Sequence, residues 1–339
     1  MGSSSCTIVE LAKHCKTSVA TVSRVFSGKA HVNPVLRKRV LSAARELNYS
    51  PQQTSRKDNV AIIIPSNQSI RPPSWFANML IAAIIQETTA AGMIPQLIEF
   101  SQIDLLYPNF TVAALILDWR ERADIYQGLT QKGIPTIGIN MKIPGGYMVC
   151  TDHYQSAKQA LLYLYEYGHR KIGWLDTHTN NWGSAQRMQG YLDALKECSI
   201  DFDERMICAH DATAALALDG LTNVLHAGAT ALVCLHEDWV IQLNYYLQAL
   251  RYKVPDDISV IAAEIPALCQ WMMPPWTTVG QDLQKLALHA LELIPQLTSG
   301  TLPVEAPATF KVQPIPNRLI ERRSVAQRHQ GNRMTPGIV

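Results

Sequence analysis

The sequence contains no apolar run as long as a membrane helix needs. Its longest apolar runs, such as Val60 to Pro65 and Ala113 to Leu117, are far shorter than the roughly 20 residues that span a bilayer. Residues 1–5 carry neither the basic start nor the apolar core of a secretory signal. We therefore expect a cytoplasmic protein without a membrane segment.

Paired cysteines and the motifs of cofactor chemistry are also missing. The seven cysteines include no C-x-x-C pair and lie mostly in apolar stretches, which favours buried reduced thiols over disulfides or a zinc site. The sequence has no phosphate-binding loop, nucleophile elbow or cluster of metal ligands. It thus indicates no catalytic residue, metal or cofactor, and it argues against an enzyme.

The small net charge of +2 conceals an uneven distribution. Residues 1–57 hold ten basic against two acidic residues, a charge of +8, whereas the rest of the chain holds twenty against twenty-six, a charge of −6. A small basic head on a larger acidic body is typical of a polyanion-binding module joined to a domain with another role. Charge alone leaves open a solvated basic surface without a partner.

Three short helices are predicted in the basic head. Thr7 begins an S/T-x-x-E capping box, Ser18 is a good N-cap for a second helix, and Asn33 precedes a proline that opens a third. The helical phase of the second helix turns Val22 and Val25 toward the core. Two short helices with a tight turn and a basic outer face suit insertion into the DNA major groove.

Specific motifs in this head resemble the DNA-binding headpiece of the lactose/galactose repressor (LacI/GalR) family. The resemblance extends from Thr7 to Pro51 and rests on Thr7-Ile8, Ala12, Ser18 to Val25, Val32-Asn33, Arg37, Val40, Ala44 and Leu47 to Pro51. It implies a sequence-specific transcription regulator that binds a palindromic operator as a homodimer or tetramer.

The same resemblance assigns roles to individual side chains. Val19 and Ala20 are expected to meet base edges, where apolar contact with thymine methyls is available, and Arg24 to contact guanine. Five further residues are expected to hold phosphates and set the register: Thr7, Ser18, Thr21, Ser23 and Asn33. The linker is expected to place Arg56 near the minor groove.

The chain departs from the family at two places in this region. Lys16 stands in the helix-helix turn where the family usually has glycine, which predicts a strained turn. Family members that bend DNA also carry a hinge helix with a leucine wedge after the Tyr-x-Pro motif. Here a shortened linker, residues 52–59, replaces it and contains no leucine.

From Val60 onward predicted strands and helices alternate, which is typical of parallel sheets covered on both faces. The predicted strands are Val60 to Pro65, Gln96 to Phe100, Ala113 to Leu117, Thr136 to Ile139, Lys171 to Leu175, Ala231 to Leu235 and Ile258 to Ala262. The predicted helices are Phe76 to Ala91, Glu121 to Lys132, Tyr154 to Tyr167, Ser184 to Cys198, Ala212 to Ala227 and Trp239 to Leu250. In such sheets ligands bind beyond the carboxyl ends of the strands.

The family resemblance continues through this body and implies a two-lobed, doubly wound α/β core like that of periplasmic binding proteins. It rests on Gly133 to Ile137, Asp152, Gly168 to Ile172, Arg187 to Tyr191, Val254 to Ile261 and Pro274 to Gln281. Gly92 to Ala113 is shorter than in the family, so a first-lobe helix is expected to be reduced. For His169 we favour a structural role, through its charge at a helix end, over a ligand role.

The resemblance also implies effector-binding residues. Asp152 is expected to accept hydrogen bonds from ligand hydroxyls, and Arg187 to clamp a hydroxyl, carboxylate or phosphate. Glu237 and Glu264 are expected to face the cleft and to make it more acidic than is usual in the family. Trp75 and Phe76 are expected in a loop that contacts sugar faces, with packing in the core or at the lobe interface as an equal alternative.

These features predict four regions. Residues 1–51 form the helix-turn-helix headpiece, 52–59 the hinge linker, 60–321 the effector-binding and dimerisation domain, and 322–339 a disordered tail. The predicted function is a DNA-binding regulator, of the repressor kind, whose operator affinity is controlled by a sugar or sugar derivative bound between the lobes. The alternative is a sugar-binding receptor with weakened or lost DNA binding.

Overall fold

The structure is a computed structural model that describes residues 6–27, 32–47, 49, 58–64, 75–106, 110–117, 123–143, 145–176, 182–209, 214–303, 305–307, 310 and 312–328. Within these ranges a three-helix unit precedes two α/β lobes. None of the helices described there is both long and apolar enough to cross a membrane.

The N-terminal unit contains the three predicted helices, α1 (Ile8–His14), α2 (Val19–Ser27) and α3 (Pro34–Glu46). The capping box is confirmed, since the Glu10 N–H donates to the Thr7 hydroxyl at 3.3 Å and the Thr7 N–H donates to the Glu10 carboxylate at 2.6 Å. Asn33 caps α3 by accepting the Val35 N–H at 2.9 Å. Each cap satisfies backbone donors that a first helical turn leaves unpaired.

A small apolar core holds the three helices together. Val22 and Val25 are 0% and 4% exposed, as predicted from their helical phase, and pack with Leu11, Val40 and Ala44. The turn between α1 and α2 carries the predicted strain, because Lys16 adopts φ +46° in the left-handed region that side chains disfavour.

The first lobe is a five-stranded parallel sheet with the strand order β2-β1-β3-β4-β5. Its elements are β1 (Asn59–Ile64), α4 (Trp75–Ala90), β2 (Ile94–Glu99), a 3-10 helix (Phe100–Leu105), β3 (Thr111–Ile116), α5 (Ala123–Gln131), β4 (Thr136–Ile139) and β5 (Tyr147–Val149). The 3-10 helix is all that separates β2 from β3 in the described part of that connection, in agreement with the reduced helix expected there.

The second lobe is a six-stranded sheet with the order β11-β10-β9-β8-β6-β7, in which only the edge strand β11 is antiparallel to its neighbour. Its elements are α6 (His153–Glu166), β6 (Ile172–Asp176), α7 (Trp182–Glu197), a 3-10 helix (Glu204–Met206), β7 (Ile207–Ala209), α8 (Ala214–His226), β8 (Ala231–Cys234), α9 (Glu237–Ala249), β9 (Ser259–Ala263), α10 (Pro266–Cys269), β10 (Thr277–Gly280) and β11 (Arg318–Ile320).

The chain passes between the lobes three times, after β5, after β10 and before β11. After β10 it forms α11 (Leu283–Thr298), whose buried face packs into the first-lobe core against α4. Thr151 and Ile315, on two of the crossing segments, form a parallel bridge. Because the lobes share three covalent connections, a change in their relative orientation must be accommodated at these crossings.

The predicted start of the tail at Arg322 is wrong. Ser324 is fully buried, donates to the Val260 carbonyl at 2.6 Å and accepts the Thr277 N–H at 2.7 Å. The Arg328 N–H donates to the Tyr167 carbonyl at 2.7 Å. The segment to Arg328 therefore belongs to the second lobe, while residues 329–339 and the linker residues 52–57 lie outside the described residues.

The close approach of α6 and α7 in the second lobe depends on Gly190. A Cβ atom at this position would lie 2.1 Å from the Tyr154 carbonyl oxygen, so α7 approaches the backbone of α6 where only glycine fits. We predict that Gly190→Ala lowers the free energy of unfolding by about 1 to 3 kcal/mol, as overpacking does. Urea unfolding measures this free energy. The control is Gln189→Ala, at the neighbouring exposed position, and equal stability of the two variants would contradict the packing of α6 against α7.

Candidate functional site

The outward face of α2 presents the residues predicted to read DNA. Val19 is 41% exposed, and Ala20, Ser23 and Arg24 are exposed as well. Val22 and Val25 on the opposite side are buried, so the helix separates a core face from a surface face. The surface face combines small apolar groups with a guanidinium, which suits thymine methyls and guanine edges.

Several residues predicted to hold phosphates have structural roles at helix starts. Thr7 and Asn33 are the caps of α1 and α3, and the Ser18 hydroxyl accepts the Thr21 N–H at 3.1 Å. The Ser18 and Thr21 hydroxyls also lie 2.8 Å apart. A helix N-terminus favours anions, so capping and phosphate contact are compatible. Arg56 lies outside the described residues.

A second group of functional side chains lies where strands of the second lobe end. Asp176 ends β6, Glu237 begins α9 shortly after β8, and Glu264 directly follows β9. The carboxyl ends of parallel strands meet at one edge of a sheet, and this edge adjoins the chain crossings. We call the space between the lobes at this edge the cleft.

Arg187 occupies the centre of a buried polar cluster at the cleft, which we call the arginine cluster and which comprises His153, Asp176, Ser184 and Arg187. The guanidinium Nη2 donates to the Ser184 hydroxyl at 2.9 Å and lies 3.7 Å from the Asp176 carboxylate. Nη1 lies 3.5 Å from His153 Nδ1. Arg187 is 7% exposed, and its Nε has no hydrogen-bond partner in the described part of the chain.

His153 is uncharged at neutral pH. Burial, and secondly the adjacent Arg187 guanidinium, lower the pKa of His153 to about 3. The Trp182 ring covers the imidazole edge-on, with 5.7 Å between the ring centroids. The cluster thus contains one guanidinium, one carboxylate and one neutral imidazole.

Two contacts fix the second-lobe side of the cleft. The Trp239 indole N–H donates to the Asp176 carbonyl oxygen at 2.9 Å, which holds the first turn of α9 against the end of β6. His236 caps α9 through the Asp238 N–H. Glu237, in that first turn of α9, therefore lies at the same strand-end edge of the sheet as Asp176.

Glu237 connects the two lobes directly. Its Oε2 atom accepts the N–H of Phe76, in the first turn of α4, at 2.5 Å. Trp75 and Phe76 therefore open a helix and do not lie in the expected loop; Trp75 is 44% exposed, and Phe76 packs partly on the first-lobe core. The contact of Trp75 with a sugar stays a prediction.

Glu264 is held in an ion pair. The two terminal nitrogens of the Arg322 guanidinium, Nη1 and Nη2, each donate to one Glu264 carboxylate oxygen at 2.9 Å, and the Thr278 hydroxyl also donates to Glu264. These contacts raise the pKa of Arg322, first through the hydrogen bonds to Glu264. The pair neutralises Glu264, so the additional acidity expected at this position is offset within the protein.

Asp152 lies at the first chain crossing and caps α6, where its Oδ1 atom accepts the Gln155 N–H at 2.8 Å. Next to it, Asn140 accepts the Thr151 N–H at 2.8 Å and donates to Gln281 at 2.8 Å. Asn140 and Gln281 thereby connect the first lobe to two crossing segments. The contact of Asp152 with a ligand stays a prediction.

His169 has the structural role that the sequence predicts, but for a different reason. Its ring nitrogens hydrogen-bond the hydroxyls of Thr230 and Ser259 at 2.9 and 3.0 Å. Burial lowers the pKa of His169 to about 4, so the ring is neutral and carries no charge for the helix dipole.

Comparison with known proteins identifies the family. Residues 7–52 match the family model "Bacterial regulatory proteins, lacI family", and residues 161–325 match "Periplasmic binding protein-like domain". The HTH-type transcriptional repressor CytR of Escherichia coli strain K12 is 31% identical over 310 residues, covering 85% of this chain and 88% of CytR. The chain belongs to the lacI family.

Solved structures agree with this assignment at the level of the fold. The transcriptional regulator CelR-cellobiose complex matches with a TM-score of 0.69 and 22% identity, covering 94% of this chain and 99% of that one. The lac repressor dimer bound to operator and the anti-inducer ONPF matches with a TM-score of 0.66 and 19% identity, covering 95% and 100%. This lacI-family chain is thus a helix-turn-helix transcription regulator with a periplasmic-binding-protein-like body.

Sequence reasoning missed the residues that surround Arg187 in this regulator. Asp176 directly follows a predicted strand, so the rule that ligands bind beyond strand ends would have selected it. His153 adjoins the predicted Asp152 but gives no local signal of burial. The ion pair between Arg322 and Glu264 joins residues 58 apart in the sequence, and no local motif predicts it.

The ion pair of Arg322 supplies a test of the corrected tail boundary. We predict that Arg322→Ala lowers the free energy of unfolding by roughly 3 kcal/mol, because it leaves the Glu264 carboxylate, 9% exposed, without its cation. The matched control is Arg323→Ala, whose side chain is exposed and whose loss should stay within about 0.5 kcal/mol. Equal effects in chemical denaturation would show that residue 322 belongs to an unstructured tail after all.

Proposed function

We propose that this lacI-family chain is a cytoplasmic repressor that binds a palindromic operator as a homodimer and changes its operator affinity when a sugar or sugar derivative occupies the cleft. The observation that carries the proposal is the two-sided α2, whose buried valines fix the helix while Val19, Ala20 and Arg24 remain on the surface. A receptor without DNA binding has no need for that outward face. We assign it no catalytic role, in keeping with relatives that are regulators.

Exposed apolar side chains support association of two copies. In the first lobe Met79, Ile85, Ile94 and Leu97 are 41% to 54% exposed, and in the second lobe Ile241, Tyr245, Trp271 and Met273 are 55% to 96% exposed. Large apolar side chains exposed in this way are available to a protein interface. A two-fold dimer would present two copies of α2 to the two half-sites of a palindrome.

The arginine cluster supports effector binding. A buried guanidinium beside hydroxyl and carboxylate oxygens can hold a ligand hydroxyl between a fixed donor and a fixed acceptor. Among similar folds, CelR has been solved with cellobiose and an Enterococcus faecium regulator with ribose. Closure of the lobes over such a ligand would alter the crossings and shift the spacing of the headpieces, with a coupling of typically ~1 to 3 kcal/mol.

The DNA-binding proposal predicts a sequence preference that depends on α2. From a randomised duplex pool, the full chain should select palindromic sites, and Arg24→Ala should weaken binding to the selected site by about 1 to 3 kcal/mol, about fivefold to 150-fold. Fluorescence anisotropy at fixed salt measures the affinity. Arg45→Ala, at another exposed arginine, on α3, is the control for lost charge and should leave base preference unchanged. Selection of no common sequence would favour a sugar receptor.

The effector proposal predicts that Arg187 is required for ligand binding. In a thermal-shift panel of ribose, glucose and cellobiose, at least one sugar should raise the melting temperature of the wild-type chain by mass action. Arg187→Ala and Arg187→Lys should abolish that rise, whereas Arg205→Ala, an exposed second-lobe arginine, should retain it. A rise that persists without Arg187 would place the sugar elsewhere.

A further inference from the structure

Three groups described at the cleft that could attract an anion are already paired with carboxylates of the chain itself. The Arg187 guanidinium faces Asp176 at 3.7 Å, and Arg322 is engaged twice by Glu264 at 2.9 Å. The amide N–H of Phe76, at the positive end of the α4 dipole, donates to Glu237 at 2.5 Å. Among these residues the formal charges are two positive and three negative.

No further positive charge comes from the imidazole of the arginine cluster. His153 is buried beside Arg187, and its pKa near 3 keeps it neutral at the pH of the cell. Within the described residues, an anion entering the arginine cluster would therefore meet the Arg187 guanidinium with the Asp176 carboxylate beside it. Like charges placed this close in a partly buried site repel each other strongly.

Glu237 also disfavours an anion, at the start of α4. It belongs to the second lobe but satisfies an N–H of α4 in the first lobe, which is the place where a ligand phosphate or carboxylate could otherwise bind a helix start. The Trp239 contact with Asp176 keeps both carboxylates at the same edge of the sheet. A ligand hydroxyl can donate a hydrogen bond to either carboxylate. A phosphate group is mainly a hydrogen-bond acceptor at neutral pH, so it cannot supply the donors that two carboxylates require.

We propose that Asp176 and Glu237 make the cleft selective for an uncharged hydroxylated ligand, such as a free sugar or nucleoside, and exclude the same ligand when it carries a phosphate. This inference rests on the proposed effector site and specifies the chemical class of its ligand. Asp176 acts by pairing with Arg187, and Glu237 by occupying the start of α4. Neutralising them should convert the cleft into an anion site.

The test uses inorganic phosphate as the probe, so it does not depend on knowing the effector. Isothermal titration calorimetry of the full chain, at ionic strength held constant with sodium chloride, should detect no saturable phosphate binding in the wild type. Asp176→Asn combined with Glu237→Gln should bind phosphate at least about tenfold more tightly than the wild type, a gain of about 1.4 kcal/mol. The gain should disappear when Arg187→Ala is added.

A control variant distinguishes the effect of charge within the cleft from the effect of the net charge of the protein. Asp256→Asn with Glu292→Gln removes two exposed carboxylates and changes the net charge equally, and it should gain no phosphate binding. Because Asp176 is buried, Glu237→Gln alone serves as the milder variant if the double variant unfolds, and it should show part of the gain. Absence of any gain in a folded variant overturns the proposal.

Paired ligands distinguish this proposal from the proposed function. Ribose against ribose 5-phosphate, and glucose against glucose 6-phosphate, are compared by thermal shift on the wild type. Binding of a sugar but not of its phosphate supports both. If the wild type binds the phosphate form and this binding requires Arg187, the charge selectivity is wrong but the effector site remains. If the double variant binds inorganic phosphate more tightly and no sugar binds the wild type, the selectivity is supported and the sugar effector is contradicted.

Discussion

The contact between Arg187 and Asp176 is the interaction on which the arrangement of the cleft depends. A guanidinium that is 7% exposed requires a compensating charge, and the carboxylate that ends β6 supplies it. The pair ties α7 to the sheet, and the backbone of the same aspartate anchors α9 through Trp239. One aspartate thereby positions the cation through its carboxylate and, through its backbone carbonyl, the start of α9 with the glutamate that reaches the other lobe.

The position of this cluster explains how a small molecule can affect a distant headpiece. Glu237 and the polar network of Asn140, Thr151 and Gln281 contact both the lobes and the segments that cross between them. A ligand that bridges the lobes in the proposed site would bind beside these contacts. In the headpiece, caps on α1 and α3 and a compact apolar core hold the three helices together.

Local features of this chain were predictable wherever a single element determines them. The helical periodicity of α2 correctly predicted a buried Val22 and an exposed Val19, and the caps at Thr7 and Asn33 were correct. The alternation of strands and helices correctly predicted largely parallel sheets. α11 was missed although Asp282 precedes a regular apolar spacing from Leu286 onward. The tail was misjudged because its composition resembles a disordered segment, whereas Ser324 gains its stability from strands far away in the sequence. The same limit applies to the pairs made by Arg322 and Arg187, which exist only after the strands and helices have packed.

The most direct test of the account measures operator affinity and ligand affinity on the same protein. Fluorescence anisotropy gives the Kd for a selected palindromic duplex with and without a saturating sugar, and calorimetry gives the Kd for that sugar with and without the duplex. The account predicts that both constants change by the same factor, typically about 5-fold to 150-fold, because coupling between two sites is reciprocal. An operator affinity that stays the same when the cleft is saturated would contradict it.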